Sequence, residues 1–99
     1  MLKSQSRFQT GRGPRYLAQM CKHFAHKVEV THDDTHGTIA LPPGSATLDA
    51  DDHGLSFEVI AADPESLDRV KSIMESHIIR FAFRDNLEKL DWTDGQDGQ

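Results

Sequence analysis

At Lys27 the apolar rhythm of the chain changes from a helical period to a strand period, and that switch constrains the fold more than any other feature. Before it, Leu17, Met20, Cys21, Phe24 and Val28 recur at spacings of three and four, one buried stripe of an amphipathic helix. After it, Val28 and Val30 alternate with Glu29 and Thr31, and the alternation resumes three times. Thr38 to Leu41 is a second run, stopped by Pro42-Pro43-Gly44. Ala46, Leu48 and Ala50 form a third, and Leu55, Phe57 and Val59 a fourth. The links His32-Asp33-Asp34-Thr35-His36-Gly37 and Asp51-Asp52-His53-Gly54 are polar turns. Four short strands joined this way make an antiparallel meander with one apolar and one solvated face.

The flanks complete the pattern. Ser4 to Thr10, anchored by Phe8, reads as a first strand or an ordered arm, and Gly11-Arg12-Gly13-Pro14 then breaks the chain and opens the first helix. Asp63-Pro64-Glu65 is a strong helix start, with Asp63 as N-cap. The second helix runs to about Phe81, its stripe being Leu67, Val70, Met74, Ile78 and Phe81, flanked by Ile73 and including His77. Ile79 and Phe83 fall nearly opposite. Either the helix ends near Phe81 and Phe83 turns inward, or a second subunit covers an Ile79/Phe83 interface. Leu87 to Trp92 reads as a final strand with Leu90 and Trp92 on one face. The expectation is therefore one α+β domain over residues 1–92, a two-layer fold in the order β-α-β-β-β-β-α-β. Both helices lie on one face of the antiparallel sheet, and residues 93–99 form a disordered polar tail.

Composition narrows the function classes. A chain of 99 residues, 27% charged and without a long apolar run, suits one soluble domain with no membrane association. A single cysteine, Cys21, in the middle of the stripe fits a core thiol in a cytoplasmic protein. The net charge of −5 hides an asymmetry: Lys3, Arg7, Arg12, Arg15, Lys22 and Lys27 precede Val28 with no acid among them. Either an anion site lies near the first helix, or the basic segment packs beside acidic loops. Nucleic acid is not an expected partner, because all sixteen carboxylates follow that segment.

Six histidines supply the candidate chemistry. His77 on an apolar stripe must hydrogen-bond or titrate low. It is either a core histidine on a backbone carbonyl or the edge of a pocket with Arg80, one turn on, as an anion clamp. His23 and Tyr16, on the flank of the first helix, could complete that pocket. His23 and His26, three apart, could hold zinc or iron with a third ligand from elsewhere, although such pairs are common on solvated faces. His32 and His36 bracket two aspartates in a turn whose composition backbone geometry alone explains. Asp49-Ala50-Asp51-Asp52-His53-Gly54 begins like a calcium loop but lacks the bidentate glutamate, which would fall at Ile60. No nucleophilic triad, phosphate loop or dinucleotide fingerprint is present, so an enzyme is not the favoured reading.

Arg15-Tyr16-Leu17, Cys21-Lys22-His23-Phe24-Ala25-His26-Lys27-Val28, Leu48-Asp49-Ala50-Asp51, Ser76-His77 and Arg80-Phe81-Ala82-Phe83-Arg84 together resemble a small bacterial family, domain of unknown function 2218. The resemblance spans about Gln5 to Trp92. It implies a stand-alone α+β cytoplasmic protein, with a homodimer as the expected assembly and no established activity. Family members that accompany iron-uptake genes add iron- or haem-related ligands to the candidates. The leading expectation is a binding or accessory protein whose pocket, edged by Tyr16, His23, His77 and Arg80, takes a small anion or an anionic metal complex. A histidine-based metal-binding protein and a homodimeric interaction module without a ligand are the alternatives.

Overall fold

A computed structural model, describing residues 1–96, shows the two-layer α+β architecture expected. The elements are β1 (Leu2–Gln9), α1 (Gly13–Ala25), β2 (Glu29–His32), β3 (His36–Leu41), β4 (Gly44–Ala50), β5 (Gly54–Ala61), α2 (Pro64–Phe81), a 3₁₀ turn (Phe83–Asp85) and β6 (Thr93–Gln96). The six strands form one antiparallel sheet in the order β2-β3-β4-β5-β1-β6. From β1, α1 crosses the sheet to β2 at the far edge. The meander then fills the gap back to β5, which pairs with β1 along its whole length.

One sheet face takes the alternating apolar residues: Ile39 and Leu41, Ala46 and Leu48, Leu55, Phe57 and Val59 are all buried. Against them pack Leu17, Met20, Cys21 and Phe24 of α1 and Leu67, Val70, Met74 and Ile78 of α2. The stripes are the ones that the spacing predicts. Each fully buried Leu, Ile or Phe contributes about 1.5–3 kcal/mol, so this shared face dominates stability. Asp63 caps α2 as expected, accepting the Ser66 N–H at 2.7 Å, worth about 1 kcal/mol. A Cβ on Gly37 would meet Cys21 Sγ at 2.6 Å, so glycine there lets β3 and α1 approach.

The last strand is displaced from its expected place. Leu87–Trp92 has no regular structure, and Thr93–Gln96 pairs with Leu2–Gln5 of β1. The expected tail over 93–99 is corrected to that extent, and 97–99 lie outside the described residues. The physical reason is where the backbone bonds go. Leu90 N–H and Trp92 Nε1–H both donate to Glu75 of α2, at 3.3 and 3.0 Å, which holds the segment against the helix instead of in a ladder. Leu90 is buried, and Trp92 meets Phe57 with ring centroids 6.3 Å apart. The strap lies where β1 turns the small side chains of Ser4 and Ser6 inward. Strand pairing needs no particular side chains, so the polar Thr93–Gln96 can complete the edge.

Candidate functional site

α1 and α2 lie side by side and run in opposite directions: Tyr16 near the start of α1 reaches Asp85 beyond the end of α2, while His23 meets His77. Two polar sites result, one at each end of this seam.

At the first, Asp85 gathers three donors. Its Oδ2 accepts from Tyr16 OH at 2.6 Å and Thr10 Oγ1 at 2.9 Å, and its Oδ1 accepts from Arg12 at 2.9 Å. Hydrogen bonding by Tyr16 is the largest cause holding the Asp85 carboxyl below its ordinary value. Burial first, and then the bond to Asp85, pushes the Tyr16 phenol up. Asn86, at φ 55°, takes the left-handed conformation that ends the 3₁₀ turn. This is a lock between the β1–α1 corner and the end of α2. It engages Tyr16 two helical turns from His23, about 10 Å along the axis. Tyr16 is therefore withdrawn from the expected pocket: its hydroxyl is committed to Asp85.

At the second, four rings meet. His23 lies 5.0 Å from His77, 5.7 Å from Phe81 and 5.1 Å from Phe24, centroid to centroid, and Phe24 lies 4.8 Å from His77. His77 is half-buried, at the border of its stripe, and its Nδ1 lies 2.6 Å from the Ile73 carbonyl oxygen. A carbonyl only accepts, so Nδ1 carries the proton and Nε2 is the nitrogen left for other partners. His77 is thus bonded to a backbone carbonyl, as one of its two expected readings has it, and its ring packs against those of His23 and Phe24.

The field around His23 has one sign. Burial is the largest cause lowering its pKa, followed by His77, Lys27, Arg80 and His26, with no carboxylate among the causes. Arg7 and Arg12 of the basic segment are neutralised by Asp51 and Asp85. Lys22, Lys27 and Arg80 form no ion pair among the described residues. Arg80 also sits in the last turn of α2, where a cation complements the helix dipole. The face of α1 that carries Gln19, Lys22, His23 and His26 borders Phe81 across a shallow cleft of about 350 Å³. Spacing alone puts His26, Lys22 and Gln19 behind the buried stripe; the position of α2 makes that face one wall of the cleft. Among the described residues no group of three or more His, Cys, Asp or Glu side chains is placed to hold a metal ion, so His23 and His26 have no third ligand of those types there.

The remaining candidates lie elsewhere. Ile79 is half-buried, and Phe83 is 66% exposed with the Arg84 guanidinium 5.5 Å above its ring. The helix ends at Phe81 as one alternative required, yet Phe83 does not turn inward. His36 faces Asp49 across the β3–β4 register with Nδ1 2.7 Å from Oδ1, an exposed pair that raises the imidazole pKa. Sequence reading grouped His36 with the turn aspartates and missed Asp49, which only the strand register could have revealed. A larger depression of about 520 Å³ on the open sheet face is edged by Arg7, Gln5 and Glu58, whose polar groups already bond one another or their neighbours.

A two-layer α+β domain with a histidine-lined seam between its helices is the class that these features define. Within it, the chain belongs to a bacterial family described as uncharacterized proteins conserved in bacteria (DUF2218), whose pattern matches residues 5–93. The fold is similar to the NMR structure of PA4090 from Pseudomonas aeruginosa, with a TM-score of 0.77, 27% identity and 96% of each chain covered. No curated protein matches the chain. Among the described residues no helix is long and apolar enough to cross a membrane.

Proposed function

We propose that this protein binds a small anion in the seam between α1 and α2, with His23, His77 and Arg80 as the groups that hold it. The observation that carries this reading is the 5.0 Å approach of His23 to His77 beside Lys27 and Arg80, which form no ion pair among the described residues, and the lowered pKa of His23 agrees with it. Such a site gains from an anion what it lacks in the free protein. A bound oxyanion would accept hydrogen bonds from Arg80 and from protonated imidazole nitrogens, charge-assisted contacts stronger than neutral ones. The Ile73 carbonyl fixes the His77 ring so that Nε2 remains available. Calorimetric titration with inorganic phosphate at pH 6 tests the reading. Arg80→Gln and His77→Gln should each weaken binding at least tenfold while keeping the wild-type melting temperature within a few degrees. Equal phosphate affinity in both folded variants would refute it.

Two other readings have an observation each. The 5.0 Å approach of His23 to His77, with His77 Nδ1 on a carbonyl, is also the arrangement of metal-ligating imidazoles, although the surrounding cations oppose a metal. It predicts a melting temperature that chelator lowers. The exposure of Phe83 favours a homodimer, which Phe83→Asp should convert into a folded monomer on size exclusion.

A further inference from the structure

The cleft beside His23 is larger than an inorganic oxyanion and is walled mostly by carbon. Its lining is the Phe81 ring from α2 and the Gln19, Lys22, His23 and His26 side chains from α1. At about 30 Å³ for each water-sized group, 350 Å³ holds roughly a dozen heavy atoms. An inorganic oxyanion would fill less than half of it. Two rings stand on its border, Phe81 edge-on to His23 at an interplanar angle of 69°. Phe24 and His77 continue the ring array behind them, both in contact with each other. The polar groups stand at the rim: Lys22 and His26 are exposed, and Lys22 has no ion-pair partner among the described residues.

We propose that the cleft takes an aromatic anion, a carboxylate or phosphate head group on a flat unsaturated ring, with the ring against Phe81 and the head group between Lys22 and His26. A flat body is the shape that a shallow cleft beside an aromatic wall can cover. Offset or edge-on contact with Phe81 and His23 adds to the area that such a body buries. The head group meets the Lys22 ammonium on one side and the His26 imidazole on the other, and no carboxylate that the lining contributes. An aliphatic acid would keep the charge contacts and lose the ring contacts. A neutral aromatic would do the reverse.

This inference rests on the anion-binding reading only for the cationic setting around His23, and it places the head group at the outer rim, at Lys22 and His26, so the two can fail separately. The test is titration of the full chain at pH 6 with 2-naphthoate, with its neutral analogue 2-naphthamide and with inorganic phosphate, by calorimetry and by amide and imidazole NMR shifts. Naphthoate should bind at least tenfold more tightly than either comparison compound and shift the Phe81, His23 and His26 resonances. Phe81→Leu should remove the preference over phosphate, and Lys22→Gln, on an exposed position, the preference over naphthamide. Should Phe81→Leu not fold, the naphthoate shift map of the unmodified chain decides, and shifts confined to other residues overturn the assignment. If phosphate binds as tightly as naphthoate, the anion site stands and the aromatic ligand class is refuted. If naphthamide matches naphthoate, charge has no role and the proposal is refuted. If none of the three binds, both readings fall.

Discussion

Replacing Asp85 with alanine should cost the fold about 3 kcal/mol, although the residue lies in a short 3₁₀ turn. The magnitude comes from what the change leaves behind. Tyr16 and Thr10 are only 3% and 7% exposed, so their hydroxyl donors would lose their acceptor in a place that water reaches poorly. Each deprived buried donor costs about 1–3 kcal/mol. The Thr10 oxygen still accepts the Arg12 N–H, which places its share at the low end. Arg12 is exposed, and losing its ion pair adds at most about 1 kcal/mol. For a domain of this size the loss lowers the melting temperature by roughly 12–24 °C. Trp92, the single tryptophan, reports unfolding by fluorescence in heat or urea. A fall of less than about 5 °C would refute the lock. A double variant makes the reasoning stricter. Tyr16→Phe added to Asp85→Ala should restore about 1 kcal/mol, because the orphaned phenol is gone. The sign with pH is also determined. Asp85 titrates below its ordinary value near 3.8, so its contribution is present above that value and is lost as pH falls through the folded-state pKa. Wild type and Asp85→Ala should therefore converge in acid.

His23 has a pH dependence of the same sign, set in a higher pH range. Its pKa is lowered from 6.5 in the fold, so below 6.5 the unfolded chain binds more protons and stability falls as pH drops toward the folded-state value. A melting series in a buffer without small oxyanions should show that acid loss in wild type and a flatter curve in His23→Gln. Gly37→Ala should destabilise by about 1–3 kcal/mol through overpacking against Cys21, and adding Cys21→Ala should recover part of it in urea unfolding. Glu75→Ala should release the strap over 87–92, with Trp92 emission shifted to longer wavelength and faster amide exchange at Leu90; unchanged emission would refute the Glu75 anchor.

The layers were legible because their signal is periodic. The α1 stripe, the α2 stripe and the β3, β4 and β5 alternations each bury one face, and a helix or strand with one apolar face has few ways to cover it. The Asp63 cap was legible because its partner lies three residues away. What the sequence could not show depends on distant partners. Leu90 and Trp92 do have the alternation of a strand, but Glu75 takes the backbone and indole donors, and no local pattern records that. Tyr16 shares the flank of α1 with His23, yet the end of α2 supplies an acceptor for it and removes it from the pocket. The meeting of His23 with His77 was open for the same reason. Each sits on its own helix, and only the opposed packing of the two helices brings their rings to 5.0 Å.

The central claim is that the seam is an anion site where protonation of His23 is disfavoured in the free protein. Side-chain nitrogen NMR of the histidines, titrated with pH in the absence and presence of inorganic phosphate, tests it most directly. The account predicts that His23 titrates below 6.5 in the free protein and moves upward when phosphate is added, with His77 responding and His36 unaffected. A His23 titration that phosphate leaves unchanged, or a phosphate response confined to His36 or His53, would contradict it.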